Sequence, residues 1–230
     1  MNAVNTNMES DFQGAKREQS SILAPFERSA LNWLASRMPK WVSSDHLTLL
    51  GLAAMFLAGL FYFFSRWDPI FLHFVNFWIA VNWFGDSLDG TIARYRNMQR
   101  PRYGFYVDHI VDTFGAFFLL LGLALSNYMG DRVAVGLLIV YYMLSINVYL
   151  AAYTIGTFKL SFWKLSPTEL RIIFIAGNLV LIYYPNVKIL GGTYLLYDIV
   201  GMVSIVVMSL MLIRSVIKNT KVLYRSERIQ

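Results

Sequence analysis

Four aspartates fall within 27 residues of this chain, between Asp86 and Asp112, and long apolar runs flank them on both sides. Charge is costly beside a membrane core, so acids in such a place indicate a functional site by default. If the segment is helical, Asp86 and Asp89 share one arc of the helix at 100° per residue. Asp108 and Asp112 are four residues apart and form a second stripe. The two acidic faces can therefore face each other.

Carboxylates gathered without partners repel one another and take up protons, and divalent cations remove that problem. The chain has no cysteine, so any metal must bind to oxygen or imidazole ligands. All-oxygen ligation suits Mg²⁺, Mn²⁺ or Ca²⁺. Two such ions on shared carboxylates can clamp a pyrophosphate. Fixed positive charge for phosphates is offered by Arg94, Arg96, Arg100 and Arg102. Salt bridges to the acids, or membrane orientation, are the alternative roles for these arginines.

The composition predicts an all-α integral membrane protein. Of the 230 residues, 57% are hydrophobic and only 15% are charged, which is less charge than soluble domains carry. The net charge of +6 does not indicate a nucleic-acid partner, because the basic residues lie between apolar runs rather than in a stripe.

A span needs roughly 20 apolar residues. Six candidates occur, at 47–64, 70–86, 107–128, 133–154, 171–184 and 195–216. The second reaches full length if its helix continues through Asp86, and the fifth if it begins near Thr168, a plausible N-cap.

Lysines and arginines alternate between the connecting segments. From the N-terminus, the segments before, between and after the six runs carry 5, 1, 4, 1, 3, 1 and 5 of them, when Arg171 at the start of the fifth run and Arg214 near the end of the sixth are counted with the adjoining segments. Because basic residues are enriched on the cytoplasmic side, this alternation predicts six spans with both termini and the acidic cluster in the cytoplasm. In a bacterium the membrane would be the inner one.

Four segments are expected along the chain. Residues 1–20 are polar and predicted to be a disordered tail, and residues 219–230 a cytoplasmic tail. Residues 45–218 form one six-helix domain. Residues 21–44 are predicted to contain an amphipathic helix lying in the membrane interface, because four apolar residues share one stripe. These are Leu23, Phe26, Ala30 and Leu34. Packing of this helix on the protein's own cytosolic surface is the alternative.

The pattern D-x2-D-G-x2-A-R followed by G-x3-D-x3-D resembles the signature of the CDP-alcohol phosphotransferase family. All eight fixed positions match: Asp86, Asp89, Gly90, Ala93, Arg94, Gly104, Asp108 and Asp112. The gap between Arg94 and Gly104 is nine residues, where the family commonly has eight. A small bulge is expected there. Six spans with the motif across the second and third also agree with the family's fold.

The resemblance implies a role for each matched residue. Asp86, Asp89, Asp108 and Asp112 would bind two divalent cations, Mg²⁺ or Mn²⁺, and Asp112 would also deprotonate the acceptor hydroxyl. The cytidine nucleotide would be contacted by Gly90, Ala93 and Arg94, with Gly104 allowing its close approach. The reaction would be attack of an alcohol on the β-phosphorus of a CDP-linked donor, with CMP leaving. Such enzymes make phospholipids or related phosphodiesters and are commonly homodimers in the lipid bilayer.

Weaker signals concern the acceptor. The pair Asp108-His109 and the pair Thr168-Glu169 resemble the choline/ethanolamine phosphotransferase branch, whose acceptor is diacylglycerol. Arg102, Glu169 and Arg171 are further candidates for acceptor or phosphate contacts, with helix capping and membrane topology as alternatives. The family that the chain resembles includes enzymes that use lipid donors with soluble acceptors and enzymes that use soluble donors with lipid acceptors. The resemblance therefore does not distinguish between these two kinds of substrate pair.

Two other classes of protein are compatible with acids beside a membrane. Polyprenyl-pyrophosphate transferases also hold a pyrophosphate through acids and Mg²⁺, but their acid pairs usually lie in two distant regions. A non-enzymatic cation transporter needs polar residues along a path through the membrane, and the fourth and sixth runs offer few. The clustering of all four acids within 27 residues disfavours the first class, and the shortage of polar residues in those runs disfavours the second.

Overall fold

The computed structural model describes residues 24–155, 167–189 and 191–227. This part of the chain is helical apart from one short β-hairpin. The predicted tail at residues 1–20 lies outside the described residues, as do Lys159 and Lys164, two of the basic residues counted between the fourth and fifth apolar runs. The elements are α1 (Ala24–Arg37), α2 (Ser44–Phe64), α3 (Phe71–Tyr95), α4 (Pro101–Ala124), α5 (Asp131–Ile155), α6 (Pro167–Tyr183), β1 (Asn186–Ile189), β2 (Gly192–Leu195) and α7 (Leu196–Ser226).

Four of these helices, α2, α4, α5 and α7, are long and apolar enough to cross a membrane. The protein is therefore an integral membrane protein, as predicted. Helix α3 has 25 residues but carries the acids of the motif, and α6 has 17 residues. The count of six spans stays a prediction.

Two of the predicted spans, the second and the fifth, reach full length only if their helices extend beyond the apolar run. Helix α3 continues through Asp86 to Tyr95, and α6 begins at Pro167. Thr168 consequently lies inside the first turn of α6 rather than capping it. The linker between α3 and α4 contains Asn97 with φ of 55°, a left-handed conformation that asparagine tolerates. This turn stands where the sequence predicted a bulge.

The core lies between α2, α3 and α4, with residues from α6 and α7 closing one side. Helices α2 and α4 meet backbone to backbone. A Cβ atom on Gly59 would lie 2.1 Å from the carbonyl oxygen of Phe118, and one on Gly122 would lie 2.0 Å from the carbonyl oxygen of Gly59. Small residues of this kind let membrane helices approach closely. The crossing therefore requires glycine at both positions, because a side chain at either one would overlap the backbone of the facing helix.

A buried polar network joins four helices at the other side of the core. The Asn178 carboxamide oxygen of α6 accepts hydrogen bonds from the hydroxyls of Tyr62 (2.6 Å) and Tyr197 (2.8 Å). Its amide nitrogen donates to the Asn76 side chain of α3 at 2.8 Å. Both polar side-chain atoms of Asn178 are thus hydrogen-bonded, which fixes the depth of α6 against α2, α3 and α7.

Helix α1 packs on the protein itself. Leu31 and Ala35 are buried in a cluster that includes Leu88 and Ile92 of α3. Of the predicted apolar stripe, Leu23 and the side chain of Phe26 lie outside what the structure describes, Ala30 is exposed and Leu34 is half-buried. The residues that are buried against α3, Leu31 and Ala35, each lie one position after a residue of the predicted stripe. Contact with a membrane interface remains a prediction, and exposed Trp33 would be available for it.

The C-terminal helix is longer than the sequence indicated. Helix α7 has 31 residues and includes the first part of the predicted tail from residue 219. At 1.5 Å per residue it is about 46 Å long, which exceeds a hydrocarbon core of about 30 Å. Its N-terminus follows the antiparallel hairpin β1–β2, in which Asn186 pairs with Leu195.

Candidate metal centre and nucleotide site

Asp86 of the α3 stripe faces both acids of the α4 stripe, as the spacing predicted, whereas Asp89 is not among the three converging carboxylates. One carboxylate oxygen from each of Asp86, Asp108 and Asp112 lies within 4.8 Å of the other two. Asp86 comes from α3, whereas Asp108 and Asp112 occupy successive turns of one face of α4. Asp86 and Asp108 are half-buried and Asp112 is exposed, so a small ligand can reach the cluster.

Asp89 is held by a different helix. The Thr48 hydroxyl of α2 donates a hydrogen bond of 2.6 Å to the Asp89 carboxylate. This contact needs α2 and α3 to be close, and Gly85 allows it. A Cβ on Gly85 would lie 2.7 Å from the Leu47 carbonyl oxygen. The backbone packing next to Asp86 therefore brings an α2 hydroxyl to the fourth acid of the motif.

Arg171 of α6 is the cation beside the cluster. Its Nη2 donates to Asp86 Oδ2 at 2.6 Å and its Nε to Asn82 Oδ1 at 2.9 Å. The Asn82 amide in turn donates to the Gly51 carbonyl oxygen at 3.0 Å. This chain of contacts orients the Asp86 carboxylate. Arg171 was predicted to contact acceptor or phosphate, and it lies close enough to the acids for that role.

The donor set fits a divalent cation. Three converging carboxylates supply only hard oxygen ligands, and the Arg171 guanidinium, which contacts Asp86, carries one positive charge against their three negative ones. Mg²⁺ and Mn²⁺ prefer such ligands, usually with waters and substrate phosphates completing the shell. The exposed side of Asp112 leaves room for those additional ligands.

The residues implied for the nucleotide lie at the ends of α3 and α4, where the two helices join. Gly90 and Ala93 are half-buried in the last turns of α3, and Arg94 Nη2 donates to the Thr91 hydroxyl at 3.1 Å. Gly104 lies in the first turn of α4, and, its own turn of helix aside, no atom of the described residues comes within 4 Å of where its Cβ would be. Open space is what close approach of a ligand requires.

Two of the basic residues proposed for phosphates have structural partners instead. The Arg96 guanidinium donates to the carbonyl oxygens of Met38 and Pro39 at 3.0 and 2.9 Å, and so binds the α1–α2 linker to α3. Arg100 forms a salt bridge with Asp45 at the start of α2. The predicted alternative of a salt bridge to a motif acid is therefore wrong for Arg100, whose salt-bridge partner is Asp45. Arg102 is exposed at the start of α4.

The remaining candidates lie around the cluster. The His109 ring stacks beside Phe105 at 4.1 Å and meets Tyr149 of α5 edge-on at 4.6 Å. Its Nδ1 lies 4.0 Å from Asp108 Oδ2. Glu169 is half-buried in the first turn of α6. His109 therefore lies beside Asp108 without belonging to the triad, and Glu169 is two residues before Arg171 on α6.

Sequence reasoning missed Thr48, Asn82 and the α1 residue Glu27, which contacts α3 and α6. A signal existed for Asn82, because it is a polar residue one turn before Asp86 in an apolar run. No local pattern pointed to Thr48 or Glu27, since their contacts depend on how separate helices pack.

The fold and the site together define a polytopic membrane protein with an acidic, oxygen-ligand centre where two helices meet. The family model of CDP-alcohol phosphatidyltransferases matches residues 41–212. The chain belongs to this family of membrane-embedded transferases, which move a substituted phosphate group from a CDP-alcohol and typically use divalent cations.

Proposed function

We propose that this protein transfers a phosphoalcohol or phosphatidyl group from a CDP-linked donor to an acceptor alcohol and releases CMP. The observation that carries the proposal is the convergence of Asp86, Asp108 and Asp112 within 4.8 Å. Family membership supplies the CDP-linked donor. Phospholipid or related phosphodiester synthesis is the corresponding pathway, in a homodimer whose sites face the cytoplasm.

The proposed metal ligands are Asp86, Asp89, Asp108 and Asp112. Two divalent cations bound there would neutralise the pyrophosphate and stabilise the charge that develops on the CMP leaving group. Thr48 orients Asp89, and Asn82 with Arg171 orients Asp86. These partners hold the carboxylates in position, so little reorganisation is needed when substrate binds.

The proposed chemistry at Asp112 is removal of the acceptor's proton. The alcohol oxygen bonds to the β-phosphorus, the bond from that phosphorus to the CMP oxygen breaks, and the proton passes to the Asp112 carboxylate. Asp112 is the exposed member of the triad, which lets an acceptor reach it. Gly90, Ala93, Arg94 and Gly104 would hold the nucleotide, while His109, Arg102, Glu169 and Arg171 are proposed to contact acceptor or phosphate.

The test is CMP release by the purified protein in lipid vesicles with Mg²⁺ or Mn²⁺. Lipid donors are paired with soluble alcohols, and soluble CDP-linked donors with diacylglycerol. We expect CMP from one class of pair and none after chelation. No CMP from any pair, together with cation uptake into the vesicles, would overturn the proposal in favour of a transporter. Transfer from a polyprenyl pyrophosphate would overturn it in favour of the other alternative.

The Asp112→Asn variant tests the base. General bases typically contribute about 10²- to 10⁴-fold, and we expect a loss of CMP release within that range. Asp131→Asn is the matched control, because Asp131 is exposed at the start of α5, beyond the far end of α4. Full activity of Asp112→Asn would refute the base assignment without affecting the metal assignment.

A further inference from the structure

One carboxylate oxygen of α1 joins three residues of other helices. Glu27 Oε1 accepts hydrogen bonds from Trp83 Nε1 at 3.0 Å and from the Ser87 hydroxyl at 3.4 Å, both on α3. It also accepts a hydrogen bond of 2.6 Å from the Thr168 hydroxyl of α6. Glu27 lies far from the motif in sequence, yet Ser87 is the residue next to Asp86.

Arg171 makes the complementary contacts from the same turn of α6. Residues three apart on a helix share a face, so Thr168 and Arg171 both point to α3. Arg171 binds Asn82 and Asp86, the immediate neighbours of the two α3 residues that bind Glu27. The first turn of α6 is therefore attached to α3 through two side chains of opposite charge. One is its own Arg171, and the other is Glu27 of α1, which binds both Thr168 and α3.

We propose that Glu27 is a positioning residue that holds the first turn of α6 on α3 and thereby keeps Arg171 against Asp86. Helix α1 is then part of the framework of the site, and the packing of Leu31 and Ala35 on α3 carries Glu27 to its place. This inference deepens the proposed function. Its activity measurement rests on that function, whereas its distance measurement does not.

The Glu27→Ala variant removes the acceptor oxygen, whereas Glu27→Gln keeps an oxygen that can accept from all three donors. Outer partners of metal ligands typically contribute about 10- to 100-fold in activity. We expect a loss of CMP release in that range for Glu27→Ala and rescue to within about twofold for Glu27→Gln. Arg28→Ala is the control, because Arg28 is an exposed neighbour on the same helix.

The second measurement is the distance between α3 and α6, which does not depend on activity. The chain has no cysteine, so nitroxide labels can be attached to cysteines at exposed positions Phe77 and Ile173. We expect a broader and longer distance distribution for Glu27→Ala and an unchanged one for Glu27→Gln. Where Glu27→Ala does not fold, Thr168→Val removes only the α6 end and is expected to give the same change, with Thr168→Ser as its control.

An unchanged distance distribution in both Glu27→Ala and Thr168→Val would overturn the proposal, whatever the activity. Equal loss of activity in Glu27→Gln and Glu27→Ala would also overturn it, because charge rather than an acceptor oxygen would then be required. A parent protein that releases no CMP would refute the proposed function, and the distance measurement would still decide the role of Glu27.

Discussion

At the scale of single residues, the site depends on side chains that orient the acids without belonging to the motif. Thr48 is the clearest case, because its hydroxyl donates to Asp89 from another helix at 2.6 Å. A carboxylate that binds metal is normally fixed by such a hydrogen bond, which restricts its rotation and directs its remaining lone pairs.

Replacing Thr48 with valine keeps the shape of the side chain and removes this donor. We expect CMP release and Mn²⁺ affinity to fall by about 10- to 100-fold, measured by initial rates and by titration of the purified protein with Mn²⁺. Thr48→Ser retains the hydroxyl and is expected to remain close to the parent. A valine variant with parental Mn²⁺ affinity would contradict the assignment of Asp89 as a ligand oriented by Thr48.

At the scale of helices, the crossing of α2 and α4 decides where the α4 acids lie. The contact is made by backbone atoms at Gly59 and Gly122, so it leaves no space for a methyl group. Because Asp108 and Asp112 are on α4, any displacement at this crossing is carried towards the triad.

The Gly59→Ala variant places a methyl group 2.1 Å from the Phe118 carbonyl oxygen. Overpacking typically costs about 1–3 kcal/mol, and a clash with backbone belongs at the upper end. We therefore expect a clear fall in the melting temperature of the detergent-solubilised protein. Gly104→Ala is the control for stability, because in the part of the chain that the structure describes no atom beyond its own helical turn lies within 4 Å of its Cβ position. Equal melting temperatures for the two variants would contradict the close crossing.

At the scale of the whole molecule, the prediction concerns orientation in the membrane. The six predicted spans would place the α1–α2 linker and the end of α7 on one side, with the α2–α3 turn on the other. The positive-inside distribution predicts that the first side is the cytoplasmic one. The donor is then expected to reach the acids from the cytoplasm.

Single cysteines test this orientation, since the parent chain has none. Trp67 in the α2–α3 turn and Tyr224 near the end of α7 are exposed. In intact cells, an impermeant maleimide is expected to label Trp67→Cys, and to label Tyr224→Cys only after the membrane is opened. Trp41→Cys, in the α1–α2 linker, should behave like Tyr224→Cys. Labelling of Tyr224→Cys in intact cells would contradict an even number of spans with cytoplasmic termini.

The sequence was informative wherever a property follows from local periodicity. Spacing by three and four residues placed Asp86 opposite Asp108 and Asp112, and apolar length indicated the helices. Contacts between separate helices had no such signal. The register of α2 against α3 brings Thr48 to Asp89, and the groove beside α3 buries Leu31 rather than Ala30. Both outcomes depend on packing that no single segment encodes.

The glycine crossing has a genetic consequence. Where two side chains meet, a bulky substitution on one helix can be relieved by a smaller residue on the other. At Gly59 the opposing atoms are the main chain of Phe118 and Leu119, and at Gly122 they are the main chain of Gly59. A peptide carbonyl is the same whichever amino acid carries it. Second-site suppressors of a Gly59 or Gly122 substitution should therefore not arise at the facing position, and should act only by moving a whole helix.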